Sequence, residues 1–324
     1  MIWDTVFSTL FLAAILRVST PILLAAIGGM LSETAGVPNI TLEGSMLAGA
    51  ASGALVAGLS GNVWLGLTAA VAAGCLVGLL LGVFHLEFGA DPIVVGIGLN
   101  LLVAGLSTFI VFSVLGDKSG TGSLGGNTLP EIQIPALAGV PFIGDVLLGQ
   151  HILTYVAFIA WGVMAFVLAR SRFGLHARAI GQNPLAAATA GVDVKRLQYT
   201  AVLITGALAG TAGAFLSMGY VSSFLRDMTA GRGFIAVAAI FLGGMRPLGV
   251  GVASLVFGFF AALSIRLGNA DIPSQLVQAI PYLATLVGLG LFAWRESQRR
   301  QQFAVTEASR WDRLKRWRRG LTRV

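Results

Sequence analysis

The chain has one cysteine, three histidines and fourteen acidic residues in 324 positions. Cys75 lies alone inside an apolar run, so neither a disulfide framework nor a thiolate metal cluster can be built from it. His85, His151 and His176 are scattered, each beside the edge of a hydrophobic run. That is the place of an interfacial polar residue rather than of a ligand set, and no metal site is expected. Charged residues are 11% of the chain, against roughly 25% in soluble domains. There is no G-x-x-x-x-G-K-[ST] phosphate loop. No hydrophobic run carries a relay of His, Glu and Asp. Work done on such a chain must come from outside it. The first hydrophobic segment lacks a basic leader and a cleavage site and reads as a retained span.

What is abundant is apolar sequence. Hydrophobic residues make up 56% of the chain, with a mean hydropathy of +0.85. Apolar runs of about eighteen residues or more recur along its length, the signature of membrane spans. In lipid only helices satisfy the backbone over such runs; barrel strands would be shorter and would alternate. The expected fold class is all-α, a polytopic transmembrane helical bundle of eight or nine spans. They are placed at about 5–30, 42–59, 63–86, 92–115, 151–170, 199–219, 233–246, 249–267 and 275–294. The segment 233–246 is too short to cross comfortably and is expected to be short or re-entrant.

Charge gives the orientation. The linker 116–150 sets Asp117, Glu131 and Asp145 against Lys118, which suits the outer side. The loop 170–198 sets Arg170, Arg172, Arg178, Lys195 and Arg196 against Asp193, which suits the inner side. Counting outward from these anchors puts the N-terminus outside and the C-terminus in the cytoplasm. Residues 295–324 hold ten basic and three acidic residues, equal to the whole formal charge of +7. The expected organisation is a transmembrane domain over 1–294 and a basic cytoplasmic tail over 295–324. In the tail Trp311, Leu314, Trp317 and Leu321 recur at helical spacing, which suits an amphipathic helix on anionic lipid or, alternatively, a solvated tail. Nucleic acid is a poor partner for a tail that leaves a span.

Glycine is placed with a period. Gly74, Gly78 and Gly82 form one small-residue face, and Gly206, Gly210 and nearby Gly213 another; such faces let helices approach closely in lipid. The triplets at 28–30 and 243–245, both Gly-Gly-Met, are a faint internal echo of the kind inverted repeats leave. In LSETAGVPNITLEG (31–44), Gly36 and Pro38 imply a broken helix, whose freed backbone groups must be re-satisfied by protein, water or substrate. Glu33 reads as a local capping partner. Asn39 and Glu43 read as residues of a polar path, with Asn100 on a span that could pack beside them, because an unpaired amide or carboxylate facing lipid is costly. Arg226, Asp227 and Arg232 stand on the outer loop before the short segment.

The basic loop carries its own helix signal: Asn183 as N-cap, Pro184 at the first helical position, LAAATA, and a stop at Gly191. The stretch ARAIGQNPLAAATAGVD (177–193) resembles the cytoplasmic coupling segment of ABC importer permeases of the ribose and branched-chain amino acid type. SETAGVPNITLEGSMLAGA (32–50), ADPIVVGIGLNLL (90–102) and GRGFIAVAAIFLGGMRPLG (231–249) resemble the nucleoside-importing, simple-sugar branch. The resemblance covers about 30–295, with its motifs in order, and is less specific for substrate than for the superfamily. The basic tail departs from that frame.

The resemblance implies a membrane-spanning permease subunit in a bacterial inner membrane that moves a small polar solute, a nucleoside above others, into the cytoplasm. It implies no catalysis and no cofactor on this chain, with ATP on a separate cytoplasmic ATPase subunit. A second, related permease subunit and an extracytoplasmic solute-binding protein complete the expected complex. Arg178, Gly181, Asn183, Pro184, Ala187 and Gly191 would meet the ATPase, and Asn39, Glu43 and Asn100 would line the path. Two other readings fit the residues. An ion-coupled carrier would use Glu43 and Asp91 as proton or cation sites and would work without an ATPase. A membrane scaffold would use the basic loop for docking and carry nothing.

Overall fold

In the computed structural model, residues 9–116, 120–124, 128–132 and 149–267 are described, together with residues 283, 286–288 and 290. The span expected at 275–294 falls mostly outside these residues, and the tail 295–324 lies wholly outside them. The described helices are α1 (Thr9–Thr34), α2 (Leu42–Ser60), α3 (Val63–Gly82), α4 (Pro92–Leu115), α5 (Ile152–Arg170), α6 (Arg172–Gln182), α7 (Pro184–Thr189), α8 (Val194–Ala214), α9 (Arg232–Leu242) and α10 (Pro247–Leu267). Wider π turns extend α3 through Glu87 and α8 through Tyr220. A two-residue antiparallel pairing, Glu131–Ile132 with Gln150–His151, is the only sheet among the described residues.

Seven of these helices, α1 to α5, α8 and α10, are long and apolar enough to cross a membrane. The eleven residues of α9 reach only about 16 Å at 1.5 Å per residue. That is about half of a hydrocarbon core, as its length in sequence predicts.

The ends of the helices follow from capping chemistry. Asp91 accepts hydrogen bonds from the Ile93 and Val94 amides at 2.8 and 3.1 Å, with Pro92 at the first helical position of α4. Asn62 does the same for α3. Asp193 caps α8 through the Arg196 amide, so α8 begins at Val194, earlier than hydrophobicity alone indicates. α1 likewise runs on to Thr34, past the edge expected at 30; in this last turn Thr34 Oγ1 donates to the Met30 carbonyl and Ser32 Oγ to that of Val37, so its hydroxyls are satisfied within the protein.

α1 is the central element. Ile22 through Leu31 are buried on every side, as in a helix enclosed by other helices rather than one facing lipid. It packs against α5, α8, α9 and α10. The two glycine faces meet each other. A Cβ on Gly74 would collide with the Gly206 carbonyl oxygen, and a Cβ on Gly206 with that of Gly74. α3 and α8 therefore touch backbone to backbone, the contact that small residues permit in lipid. The two Gly-Gly-Met triplets differ: the first lies within α1, the second in the turn after α9, where Gly244 and Met245 have φ of 63° and 55°. They do not mark equivalent places in the fold.

Candidate functional site

The break after α1 is built as its sequence requires. The helix ends at Thr34, the chain reverses at Gly36 with φ 78°, and α2 starts at Leu42. The segment between them would leave amides and carbonyls bare in an apolar surrounding, and polar side chains take them up. Asn39 is buried, and its Oδ1 accepts from the Thr41 amide at 2.9 Å and the Thr41 hydroxyl at 2.7 Å. The Asn39 backbone N–H donates to Glu33 Oε1 at 3.3 Å. Asn100, reaching across from α4, accepts from the Gly44 amide at 2.8 Å and donates to the Ile40 carbonyl at 2.9 Å.

Glu43 reaches furthest. Its Oε1 accepts from the Gly231 amide at 2.9 Å and its Oε2 from the Gly233 amide at 2.6 Å. Its carboxylate thus sits on the N-terminus of α9, where orphan amides and the helix dipole favour negative charge. Gly233 is obligatory here, because a Cβ would press on the Glu43 backbone. Sequence reasoning placed Asn39, Glu43 and Asn100 together, and the structure sets all three around the segment 39–44, each with partners of its own. It gives them backbone groups to hold, with Glu43 joining the first turn of α2 to the first turn of α9. Gly231 and Gly233 had no local signal to show this partnership.

The basic loop folds as two short helices. α6 buries Gly174, Ala177 and Ile180 and exposes Arg178, whose Nε donates to the Gly174 carbonyl at 3.3 Å. Asn183 Oδ1 accepts from the Ala186 amide at 3.0 Å and Pro184 opens α7, as the capping pattern predicts. Gly191, at φ 83°, lets the chain turn back so that the Val192 amide donates to the Ala187 carbonyl at 3.1 Å. Ala187 is buried in the main core cluster, so it faces the protein. Leu185 on α7 is 79% exposed, and Leu175 on α6 is 58% exposed.

Gly181 also faces inward. A Cβ there would strike the Thr34 carbonyl oxygen at the end of α1. Close by, Gln198 Nε2 of α8 donates to the Ala35 carbonyl at 3.1 Å. Lys195 and Tyr199 of α8 both bond Glu87 at the end of α3, at 2.9 and 3.2 Å. The loop is thus a firm plate butted against three spans, with Leu185 and Leu175 on its outer surface.

The profile of the branched-chain amino acid transport system / permease component family matches residues 11–289. The guanosine ABC transporter permease protein NupQ of Bacillus subtilis is 34% identical over 307 residues, 89% of this chain and 93% of that protein. The nucleoside ABC transporter permease protein NupC of Lactococcus lactis is 34% identical over 300 residues, 87% of this chain and 92% of that protein. The glucose ABC transporter permease protein TsgB13 of Haloferax volcanii is 26% identical over 307 residues, 88% and 78% of the two chains. A solved metal-chelate type ABC transporter in an inward-facing conformation superposes with a TM-score of 0.51 at 15% identity, over 87% of this chain and 85% of that one.

Proposed function

The chain belongs to the permease component family of the branched-chain amino acid transport system, and from that premise we propose that it carries a nucleoside inward through a bacterial inner membrane. It is a multi-pass ABC transporter permease, a transport component rather than a catalyst. In this reading ATP is hydrolysed on a separate cytoplasmic ATPase subunit, which grips α7. A related permease subunit completes the pathway and an extracytoplasmic binding protein delivers the solute. The N-terminus lies outside and the C-terminus in the cytoplasm. The chain needs no cofactor of its own.

One observation carries the coupling part of the reading: Leu185 of α7 is exposed, and Gly181, at the end of the preceding helix, is in backbone contact with the end of α1. A push on α7 has no soft side chain at that point to absorb it. It passes to α1 and to the break at Gly36, whose far end Asn100 and Glu43 tie to α4 and α9. Asn39, Asn100 and Glu43 then act on the path by fixing the break. Arg178 and the capped α7, set by Asn183, Pro184 and Gly191, present the docking surface, while Ala187 anchors it from within.

The ion-coupled reading loses its residues. Glu43 caps α9 and Asp91 caps α4 through backbone amides. A sugar substrate is the second reading, favoured by the likeness to the glucose permease protein. Uptake of a labelled nucleoside and sugar panel in a deletion strain, complemented with the gene, separates the two. Restored nucleoside uptake supports the proposal; restored sugar uptake alone replaces it.

A further inference from the structure

A cavity of about 560 Å³ opens between α4 and the segment 221–231. Its size lies within the usual range for small-molecule sites, roughly 300–1,000 Å³. Ala104, Gly105, Thr108, Phe109 and Phe112 line it from one face of α4, since residues four apart on a helix stack above one another. Leu47 of α2 and the charged pair Arg226 and Asp227 complete the wall. A Cβ on Gly105 would meet open space, and Phe109 is 65% exposed. Exposed phenyl rings alone suit a lipid-facing helix. Arg226 and Asp227, on the segment across from them, make this wall polar as well as aromatic.

Two further observations set this cavity apart. Leu47 and Ala104 each lie one turn beyond Glu43 and Asn100. The cavity therefore adjoins the network that ties the α1–α2 break to α9. The segment across from α4 is also held in a costly shape. Ser222, Asp227 and Ala230 have φ of 63°, 56° and 45°, left-handed values that non-glycine residues seldom adopt. Reciprocal bonds fix it: the Phe224 amide donates to Thr121 Oγ1 at 2.8 Å, and the Thr121 amide to the Phe224 carbonyl at 3.0 Å. Such conformations persist where surrounding structure enforces them, and they cluster at binding and switching sites.

We propose that this cavity is the solute-contact site of the permease, resting on the nucleoside reading above, with the base stacked on Phe109 and Phe112. Asp227 accepts from a ribose hydroxyl or a base amino group, and Arg226 donates to a base carbonyl or ring nitrogen. Thr108 Oγ1 donates to the Ala104 carbonyl at 3.2 Å, which leaves its lone pairs turned to an incoming donor. The aromatic rings would favour a nucleoside, whose base presents a π face to stack on them.

The test uses the complete transporter in proteoliposomes, with the second permease, the ATPase and the binding protein, and labelled guanosine as probe. Phe109→Ala should lower uptake at subsaturating guanosine roughly tenfold, the scale of one lost stacking partner. Phe109→Trp, which keeps an aromatic face, should restore it to within about twofold. Asp227→Asn keeps a residue that tolerates a left-handed backbone and should also lower uptake. The binding protein should keep its affinity for guanosine. A wild-type complex that moves a sugar and no nucleoside overturns the substrate reading and the base-stacking site with it. Wild-type guanosine uptake with unchanged rates in Phe109→Ala and Asp227→Asn overturns the site alone. Loss of permease pairing in Phe109→Ala would assign the ring to the subunit seam and overturn it too.

Discussion

Gly181 and Gly36 stand face to face, with the Gly181 Cα 3.3 Å from where a Cβ on Gly36 would lie. This contact joins the plate formed by α6 and α7 to the break between α1 and α2. A side chain at Gly181 would meet the Thr34 carbonyl directly, so the first prediction concerns that joint. Gly181→Leu should insert and assemble but lose at least about tenfold in uptake, because overpacking of about 1–3 kcal/mol displaces the plate from α1. ATPase association, read by co-purification, should persist. Normal transport in this variant would remove Gly181 from the coupling route.

The second prediction separates the outer surface of the plate from its inner one. Leu185→Glu should fold normally, since the side chain is 79% exposed, yet weaken ATPase binding roughly ten- to hundredfold, the worth of one buried leucine turned into a charge. Ala187→Leu should instead lower stability, because Ala187 is buried in the core. Titration of the purified permease with the ATPase, beside thermal unfolding, reads both. Unaltered ATPase binding by Leu185→Glu would move the docking surface elsewhere.

The third concerns the tie across the break. Asn100→Ala leaves the Gly44 amide and the Ile40 carbonyl without their partner, at about 1–3 kcal/mol for each buried group. Its unfolding temperature in detergent should fall by several degrees, and uptake should fall with it. Glu43→Gln turns one acceptor into an amide donor facing the Gly231 or Gly233 amide, and should loosen α9. Wild-type stability in both variants would contradict the assigned bonds.

Much of this was legible in the sequence for a physical reason. Apolar runs of bilayer length leave the helix as the one backbone solution, and Gly36 with Pro38 marks the break. Asn183, Pro184 and Gly191 state the ends of α7 because capping is local chemistry. What sequence did not reveal depends on distant partners. Glu43 and Gly231 are 188 positions apart, and nothing near either one announces the other. Gly181 read as a docking residue because it lies in a basic loop, yet its neighbour is the end of α1. Within α7 Leu185 could not be singled out, because an apolar residue in an alanine-rich helix gives no sign of which side it faces. Hydrophobicity also placed the start of α8 late, because Lys195 and Arg196 are charged, although Asp193 and Glu87 accommodate that turn.

A fourth prediction tests the glycine seam. Gly206→Val should destabilise the bundle, since a side chain there meets the Gly74 carbonyl and the Cys75 backbone. The cost should be about 1–3 kcal/mol or more, read as lower thermal stability and poor yield. Gly98→Val, where a Cβ meets open space, is the control and should leave yield unchanged.

A fifth concerns orientation. In a Cys75→Ala background, cysteine at position 122 should react with an impermeant thiol reagent added outside intact cells. Cysteine at position 186, on α7, should react only after the membrane is opened. The basis is the basic character of the loop 170–198. Outside labelling at position 186 would reverse the proposed topology.

In the proposed function this chain passes a nucleoside using work done on it by an ATPase. The direct measurement is accumulation of labelled guanosine in proteoliposomes that hold the complete complex, with and without ATP. Accumulation that needs ATP and the ATPase, and that persists when ion gradients are collapsed, is the predicted result. Guanosine accumulation that continues without the ATPase and follows an imposed ion gradient would contradict the account.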